Sequence, residues 1–229
     1  MDRFWLKNYP AGVAADIDPN QYKSLIQLFD EAFRKHADKG AYSFMGKEMT
    51  FKELEQHSTA TGAWLQSRGY AKGTRIAIML PNVLQYPVAM AGILRAGYTV
   101  VNVNPLYTPR ELEHQLKDSG AEAIFILENF ATTLQQVIDK VPAKTVVVCA
   151  MGDMLGFPKG AIVNFVVRNV KKMVPAFSLP NALRWNDVLA EGAKMTLKQA
   201  DCSHKDIAFL QYTGGTTGVS KGATLTHRN

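Results

Sequence analysis

The sequence predicts an α/β fold in which a doubly wound, largely parallel β-sheet is covered by helices. Short β-branched runs alternate with amphipathic segments along the chain, and these runs show no alternation of apolar and polar residues. No internal repeat or low-complexity tract interrupts this alternation. Hydrophobic residues make up 47% of the 229 residues, so the chain has the composition of a globular protein and not of a disordered one.

Three helices are predicted from the sequences of their first turns. Ser24-Leu25-Ile26-Gln27 and Thr50-Phe51-Lys52-Glu53 are capping-box sequences, and Thr108-Pro109-Arg110-Glu111 adds a proline at the first helical position. The buried face of the first helix is expected to hold Leu25, Leu28, Phe29, Ala32 and Phe33. The second helix is expected to carry Leu54, Trp64 and Leu65.

Four strands are predicted at 75–80, 98–101, 123–127 and 145–148. Each is a continuous apolar or β-branched run next to turn residues, which is typical of a strand covered on both faces. Strands that alternate with helices favour right-handed βαβ units, so residues 75–150 are predicted to form the doubly wound sheet.

The remaining composition favours a reduced, cytoplasmic protein. Cys149 and Cys202 lie far apart and form no CxxC motif, although a single disulfide stays open. The first residues do not resemble a signal peptide, and no apolar run approaches the roughly 20 residues of a bilayer span. We therefore expect neither export nor a membrane-spanning segment.

Residues 154–185 contain five basic residues and no acidic one. A helix over Ile162–Val174 would place Asn164, Arg168, Lys171 and Lys172 on one face, opposite an apolar face. The favoured interpretation is a helix packed on its own domain with a solvated cationic face. The alternative is a helix that rests on an anionic membrane surface through residues 159–174.

Residues 206–226 predict a strand, a glycine-rich loop and a second strand. Glycines let backbone N–H groups approach a ligand, and the loop adds the hydroxyls of Thr213, Thr216 and Thr217 and the positive charge of Lys221. These groups suit a polyphosphate, while a Gly/Thr-rich hairpin turn is the structural alternative. The spacing fits neither a Walker loop nor a dinucleotide-binding fingerprint.

Other polar residues are assigned no chemistry. The histidines show no paired ligand spacing, so no structural metal is expected at His36, His57, His114, His204 or His227. His227 follows the loop, and a place at the surface or at the start of a helix is favoured over contact with a nucleotide. Three acidic residues near helix and strand ends are expected to be solvated: Asp118, Glu122 and Glu128.

The run Leu210–Gly222, LQYTGGTTGVSKG, resembles the AMP-binding signature of the adenylate-forming ligases. This superfamily includes acyl-CoA synthetases, firefly luciferase and peptide-synthetase adenylation domains. Segments 80–82, 85–89, 92–97 and 101–112 are similar to the bacterial long-chain fatty-acid-CoA ligases in particular, and the likeness runs from Trp5 to Asn229. Ser220 stands where the family usually has proline.

The resemblance implies a two-step reaction. A fatty carboxylate attacks the α-phosphate of Mg²⁺-bound ATP to give an acyl-adenylate and pyrophosphate, and the thiol of coenzyme A then displaces AMP. By position in the motif, Thr213 would help to hold Mg²⁺ and the phosphates, and Lys221 would be a mobile cation near them. The residues expected to wrap the β- and γ-phosphates are Gly214, Gly215, Thr216, Thr217 and Gly218.

The resemblance also sets the expected extent of the chain. Residues 1–229 are expected to be the front part of the N-terminal AMP-binding domain, without the rest of that large domain or the small C-terminal domain. We assign no catalytic residue and expect that the chain alone does not complete adenylation. The whole enzyme is expected in the cytoplasm or peripherally on the inner membrane, and a homodimer stays open.

The sequence leaves two alternative functions open. One is an adenylate-forming enzyme for another acid, such as an aryl or amino acid. The other is a non-catalytic module that binds a nucleotide or an anionic lipid. Nucleic acid is not expected as a partner, because the basic segment lacks interleaved aromatic residues and the chain contains no reader motif.

Overall fold

The computed structural model describes residues 2–213 and 220–229. The helices of this part are α1 (Leu25–His36), α2 (Phe51–Ser67), α3 (Gln85–Arg95), α4 (Pro109–Ser119), α5 (Ala131–Gln135), α6 (Lys159–Phe165) and α7 (Trp185–Gly192). The strands are β1 (Gly40–Phe44), β2 (Lys47–Thr50), β3 (Arg75–Met79), β4 (Thr99–Asn102), β5 (Ala123–Leu127), β6 (Thr145–Cys149), β7 (Leu183–Arg184), β8 (Ile207–Thr213) and β9 (Lys221–Thr226).

Seven of these strands form one sheet in the order β7-β6-β5-β3-β4-β8-β9. All neighbouring strands in it are parallel except β8 and β9, which are antiparallel. The chain moves from β3 to β4 on one side and then crosses back to β5 on the other. The prediction of a doubly wound, largely parallel sheet is confirmed, as are the four predicted strands, each to within one or two residues.

The sheet has a buried core on each face, because successive residues of a strand point to opposite sides. Ile76 and Ile78 of β3 belong to the core under α2, α3 and α7, whereas Ala77 and Met79 belong to the core under α4 and α5. The continuous apolar runs of the sequence are therefore explained by two covered faces.

The predicted helix starts are confirmed in position, and two of the three are confirmed in chemistry. At α2 the Thr50 hydroxyl accepts a hydrogen bond from the Glu53 N–H at 3.1 Å, and α4 begins with the equivalent pair of Thr108 and Glu111. The capping box predicted at α1 is wrong. The Ser24 side chain makes no capping hydrogen bond there.

The predicted buried face of α1 is also partly wrong. Ile26 is buried together with Phe33, whereas Leu28 is 37% exposed. The buried side of α1 is therefore rotated relative to the prediction. Packing against neighbouring segments of the same chain, and not the apolar stripe alone, decides which side chains of α1 are covered.

The basic segment differs most from its prediction. α6 continues as a π-helical turn over Val166–Val170, and the helix ends where Lys172 adopts a φ of 51°. Asn164 points inward: its Oδ1 accepts from the Gly152 N–H at 2.7 Å, and its Nδ2 donates to Asp153 at 3.3 Å. The predicted solvated polar face is therefore turned toward the domain at this position.

A buried carboxylate fixes the same orientation one turn later. Glu128 was expected to be solvated, but it is only 2% exposed, so that expectation is wrong. The Arg168 guanidinium donates from Nε and Nη2 to both carboxylate oxygens, at 2.8–3.1 Å. Arg184 adds a second cation at 3.8 Å. The pair forms because a carboxylate excluded from water requires charged donors.

A short hairpin that was not predicted joins β1 to β2. Its two turn residues, Met45 and Gly46, have φ values of 48° and 75°, a conformation that glycine adopts easily and methionine rarely does. The Lys159 ammonium donates to the Met45 carbonyl and so attaches the hairpin to the start of α6.

The structure also bears on the expectations for the two cysteines and for membrane-spanning helices. Cys149 and Cys202 are both free, buried thiols, so the disulfide alternative is wrong. Over residues 2–213 and 220–229, no helix combines the length and apolar character that crossing a bilayer requires.

Candidate functional site

The candidate site lies at the edge of the sheet where the parallel strands end. β8 pairs in parallel with β4, with Asn102 beside Gln211, and β9 returns antiparallel to β8. The connection between them is the glycine-rich segment. The two predicted strands are confirmed, whereas residues 214–219 between them lie outside the described part of the chain. In open α/β sheets, ligands bind beyond the carboxyl ends of the strands.

Two of the predicted site residues are placed together by this hairpin. Thr213 ends β8 and Lys221 begins β9, and the two are cross-strand partners whose side chains are exposed. The remaining predicted residues lie outside the described part of the chain: Gly214, Gly215, Thr216, Thr217 and Gly218. A hydroxyl and an ammonium group therefore stand at the two ends of the loop.

Helix α4 contacts both stems of the loop. The Tyr212 hydroxyl donates to the Asp118 carboxylate at 2.5 Å, and His114 Nε2 donates to the Ser220 carbonyl at 3.2 Å. Burial, reinforced by Asp118, raises the pKa of Tyr212, which keeps its hydroxyl protonated as a donor. Asp118 is exposed as expected, yet it has a definite structural partner.

Tyr212 also explains one glycine of the motif. Tyr212 lies on β8, and its ring packs over its cross-strand partner Gly222 on β9. A Cβ atom added at Gly222 would stand 2.9 Å from the Cε2 atom of the ring. This contact is closer than side-chain carbons normally reach. A glycine at 222 is therefore needed for Tyr212 to reach Asp118.

A chain of polar side chains joins the ends of β4 and β8. The Tyr86 hydroxyl donates to Asn102 Oδ1 at 3.0 Å, and Asn102 Nδ2 donates to Gln211 Oε1 at 2.8 Å. Gln115 of α4 donates to the Asn102 carbonyl at 2.7 Å. These bonds hold the strand that leads into the loop against its neighbour.

Sequence reasoning assigned no role to these polar residues. The available signal was Asn102, a polar residue that directly follows the apolar pair Val100 and Val101. Polar groups at the carboxyl edge of a parallel sheet indicate a binding site. The contacts of His114 and Asp118 had no such signal, because their partners lie about a hundred residues away in the sequence.

His227 does not belong to the exposed loop. It is 8% exposed, and its Nδ1 accepts the N–H of Leu25 at 3.1 Å. It therefore caps α1 in place of Ser24, so its expected surface position is wrong. Burial is the main cause that lowers the pKa of His227, and Lys72 adds to this effect while Asp206 opposes it. The neutral imidazole is the form that can accept this hydrogen bond.

This cap predicts a stability that depends on pH. The unfolded chain protonates His227 at its ordinary pKa of about 6.5, and the folded chain does so only at lower pH. The contribution is therefore complete above pH about 6.5 and is lost as the pH falls toward the lowered pKa. The free energy of unfolding of the unchanged chain should therefore fall between pH 7.5 and 5. We expect this fall to be smaller in His227→Asn, which keeps an acceptor for the Leu25 N–H.

Urea unfolding at several pH values would test this expectation. His57→Asn is the matched comparison, because burial also lowers the pKa of His57, which lies within α2 and away from the cap. The two substitutions should reduce the pH dependence separately. An unchanged pH profile for His227→Asn would contradict the prediction.

Most of the chain matches a known protein family. Residues 29–229 match the family model described as AMP-binding enzyme. The chain belongs to the AMP-binding enzyme family. A long-chain-fatty-acid--CoA ligase of Yersinia pestis is 55% identical to this family member over 230 residues, and one of Salmonella typhimurium is 54% identical. Each alignment covers 100% of the chain and 41% of the relative, so the chain spans about two-fifths of the length of these relatives.

A solved structure agrees with the fold. The crystal structure of a long-chain-fatty-acid-CoA ligase from Archaeoglobus fulgidus superimposes on this AMP-binding family chain with a TM-score of 0.69. The match covers 96% of the chain and 39% of that protein, at 24% identity. At this identity the likeness concerns the fold, and the family assignment depends on the sequence.

Proposed function

We propose that this chain supplies the nucleotide-binding part of an enzyme that activates a long-chain fatty acid with ATP and transfers it to coenzyme A. The observation that carries the proposal is the placement of Thr213 opposite Lys221, at the two ends of the glycine-rich segment and at the carboxyl edge of the sheet. The family match and the names of the relatives support the same reaction.

The reaction has two steps. A carboxylate oxygen bonds to the α-phosphorus of ATP while the bond between the α- and β-phosphates breaks, which releases pyrophosphate. The sulfur of coenzyme A then bonds to the acyl carbon, and AMP leaves. Both steps need a triphosphate or an adenylate held in a fixed position with its charge balanced.

The chain's own groups suit the binding of phosphate. Lys221 is exposed at the start of β9, where its ammonium group would bind an anion beside the loop. Thr213 presents a hydroxyl oxygen, which is the hard type of ligand that Mg²⁺ accepts. Phosphate oxygens and water molecules would complete the coordination of the Mg²⁺ ion. The metal would neutralise charge on the phosphates.

The scaffold around these groups keeps the loop ends in place. Asp118 holds the stem before the loop through Tyr212, and His114 holds the stem after it through the Ser220 carbonyl. Residues 1–229 are therefore proposed as the front part of the AMP-binding domain, in which the phosphates are bound. The choice of acid is proposed from the relatives and not from these residues.

Nucleotide binding by the chain is the direct test. We expect Lys221→Met to weaken MgATP binding about 10- to 100-fold, because a hydrogen bond to a charged group contributes roughly 1.5 to 3 kcal/mol. Thr213→Val should weaken it less. Lys205→Met is the matched control, since Lys205 is also exposed but precedes the amino end of β8, at the opposite edge of the sheet. Isothermal titration calorimetry would give the affinities.

An unchanged affinity in Lys221→Met would contradict the proposed site. Catalysis needs a separate test, because a nucleotide-binding module without activity is the second candidate. We expect no pyrophosphate exchange from the chain alone. A chimera that joins residues 1–229 to the rest of the Yersinia pestis relative should form acyl-CoA, and Lys221→Met should reduce that activity.

A further inference from the structure

One face of the sheet carries a polar side chain next to the proposed phosphate-binding groups. Successive residues of a strand point to opposite faces, so Gln211 and Thr213 of β8 share a face and Tyr212 points to the other. Tyr212 belongs to the core under α4 and α5, which leaves the opposite face of the sheet for Gln211. Lys221 is the cross-strand partner of Thr213 and therefore lies on the face of Gln211 as well.

The side-chain amide of Gln211 is bound at one end only. Its Oε1 accepts from Asn102 Nδ2 at 2.8 Å, and among residues 2–213 and 220–229 no group accepts from its Nε2. Gln211 is partly exposed, and its cross-strand partner Ala223 carries only a methyl group, so β9 does not cover the amide with a long side chain. The face therefore presents an N–H donor beside Thr213.

The direction of the neighbouring hydrogen bonds decides which end of this amide is presented. The Tyr86 hydroxyl donates to Asn102 Oδ1 at 3.0 Å, so the Nδ2 group of Asn102 is left to donate to Gln211 Oε1. Burial raises the pKa of Tyr86, which keeps its hydroxyl protonated as a donor. Both bonds run in the same direction, and hydrogen bonds in such a chain polarise one another. The chain ends in the N–H groups of Gln211, which suit an anionic oxygen.

The spacing along β8 suits a ligand that is longer than one phosphate group. Residues two apart on a strand are separated by about 6.5 Å, so Gln211 lies about this far from Thr213, on the side away from the loop. Thr213 and Lys221 form one level of the face, and Gln211 forms the next. A nucleotide polyphosphate is long enough to contact both levels.

We propose that the Gln211 amide binds a phosphate oxygen of the nucleotide, and that Asn102 and Tyr86 are positioning residues that orient this amide. The inference rests on the proposed function, because Thr213 and Lys221 have to hold the phosphates at the first level. Gln211 adds a neutral donor to a hydroxyl and an ammonium group. Its main contribution is therefore to fix the position of the phosphates, while Lys221 balances their charge.

The test is isothermal titration calorimetry of the chain with MgATP and with Mg²⁺-bound tripolyphosphate, which has the phosphates without the nucleoside. Gln211→Met nearly preserves the length of the side chain and removes the donor, so we expect it to weaken the binding of both ligands about tenfold. Gln211→Glu should weaken both more strongly, because a carboxylate only accepts hydrogen bonds and repels phosphate. Tyr86→Phe should weaken both about threefold, because the Asn102 amide then loses the donor that sets its direction.

A double-mutant cycle separates positioning from packing. If Tyr86 acts through Gln211, Tyr86→Phe should cause no further weakening in the Gln211→Met background, whereas an independent effect would add to it. Tyr70→Phe is the matched control. The Tyr70 hydroxyl also donates to a side chain, Thr145 Oγ1 at 2.6 Å, but Thr145 begins β6 at the amino edge of the sheet. This control should bind both ligands like the unchanged chain, and thermal unfolding checks that every variant is folded.

The outcomes distinguish this inference from the proposed function. Weaker binding in Lys221→Met but not in Gln211→Met would overturn the inference and leave the proposed function in place. A loss in Gln211→Met for MgATP but not for tripolyphosphate would also overturn it, because the amide would then contact the nucleoside. Additive effects of Tyr86→Phe and Gln211→Met would overturn the positioning role. Unchanged binding in Lys221→Met, or no binding of either ligand by the unchanged chain, would contradict the proposed function and this inference together.

Discussion

Replacing Arg168 with methionine is expected to lower the free energy of unfolding by about 2–3 kcal/mol, because the buried carboxylate of Glu128 loses its principal partner. Glu128 is 2% exposed, and after the substitution Arg184, at 3.8 Å, is the one cation that the described residues leave near its carboxylate. The arginine itself is 42% exposed, so the expected loss lies below that of a fully buried ion pair.

A second substitution tests the cause of that loss. Glu128→Gln removes the charge, and in combination with Arg168→Met it should recover more than half of the lost stability. Arg3→Met is the control, because Arg3 forms an ion pair with Asp16 in which both side chains are largely exposed. It should cause no measurable change in urea unfolding. Failure of the double variant to recover would contradict this explanation.

The same variant bears on residues 157–173, the segment that contains α6. Arg168 is one of the contacts that keep the polar side of the helix inward, so its loss should also loosen the orientation of residues 157–173. Hydrogen exchange in this segment should therefore increase more than in the strands of the sheet. Stability and surface orientation are thus linked through one buried carboxylate.

The sheet was predictable because its signals are local. A strand covered on both faces needs a continuous apolar run, and the run at 123–127 coincides with β5. The capping boxes of α2 and α4 are equally local, since both partners lie within four residues. Where structure depends on nearest neighbours in the sequence, sequence reasoning succeeded.

The errors arose where a distant residue decided the outcome. The helical periodicity of residues 162–174 was visible, but which side faces the domain depends on Glu128, about 40 residues earlier. Likewise, α1 is capped by His227 and not by Ser24, a contact across 202 residues. Helices α3 and α7 lack a side-chain cap at their first turns, so no local signal announced them.

The candidate site divides in the same way. The motif predicts a phosphate site with Thr213 and Lys221 at its ends, because the residue types that suit phosphate binding lie close together in the sequence. The bonds from Asp118 and His114 to the stems were not predictable, because they depend on how α4 packs beside β8 and β9. Long-range packing thus supplies the rigidity that a motif cannot encode.

At Gly192, helix propensity and the packing of α7 against α2 predict opposite effects on stability for the same substitution. Helix propensity alone predicts that Gly192→Ala stabilises α7 by about 1 kcal/mol. In the structure, an added Cβ would stand 2.0 Å from the carbonyl oxygen of Ala60 and 2.7 Å from its carbon, both backbone atoms of α2. We therefore expect the opposite sign, a loss of about 2–3 kcal/mol, because α7 must move away from α2.

Movement of α7 would also disturb the contacts beside it. Glu191 accepts from the Trp64 indole at 3.1 Å and lies 3.6 Å from the Arg68 guanidinium, so both contacts depend on the close approach at Gly192. Gly69→Ala is the matched comparison: nothing lies within 4 Å of its added Cβ, and only its φ of 76° opposes alanine. That cost is about 1 kcal/mol.

Urea unfolding of the two variants gives a direct comparison. A larger loss for Gly192→Ala than for Gly69→Ala means that the distance between α2 and α7 limits what position 192 can hold. A gain in stability for Gly192→Ala would instead mean that helix propensity dominates and that the two helices can separate at little cost. Trp64 fluorescence distinguishes these cases, because separation of the helices exposes its ring, which is fully buried in the native chain.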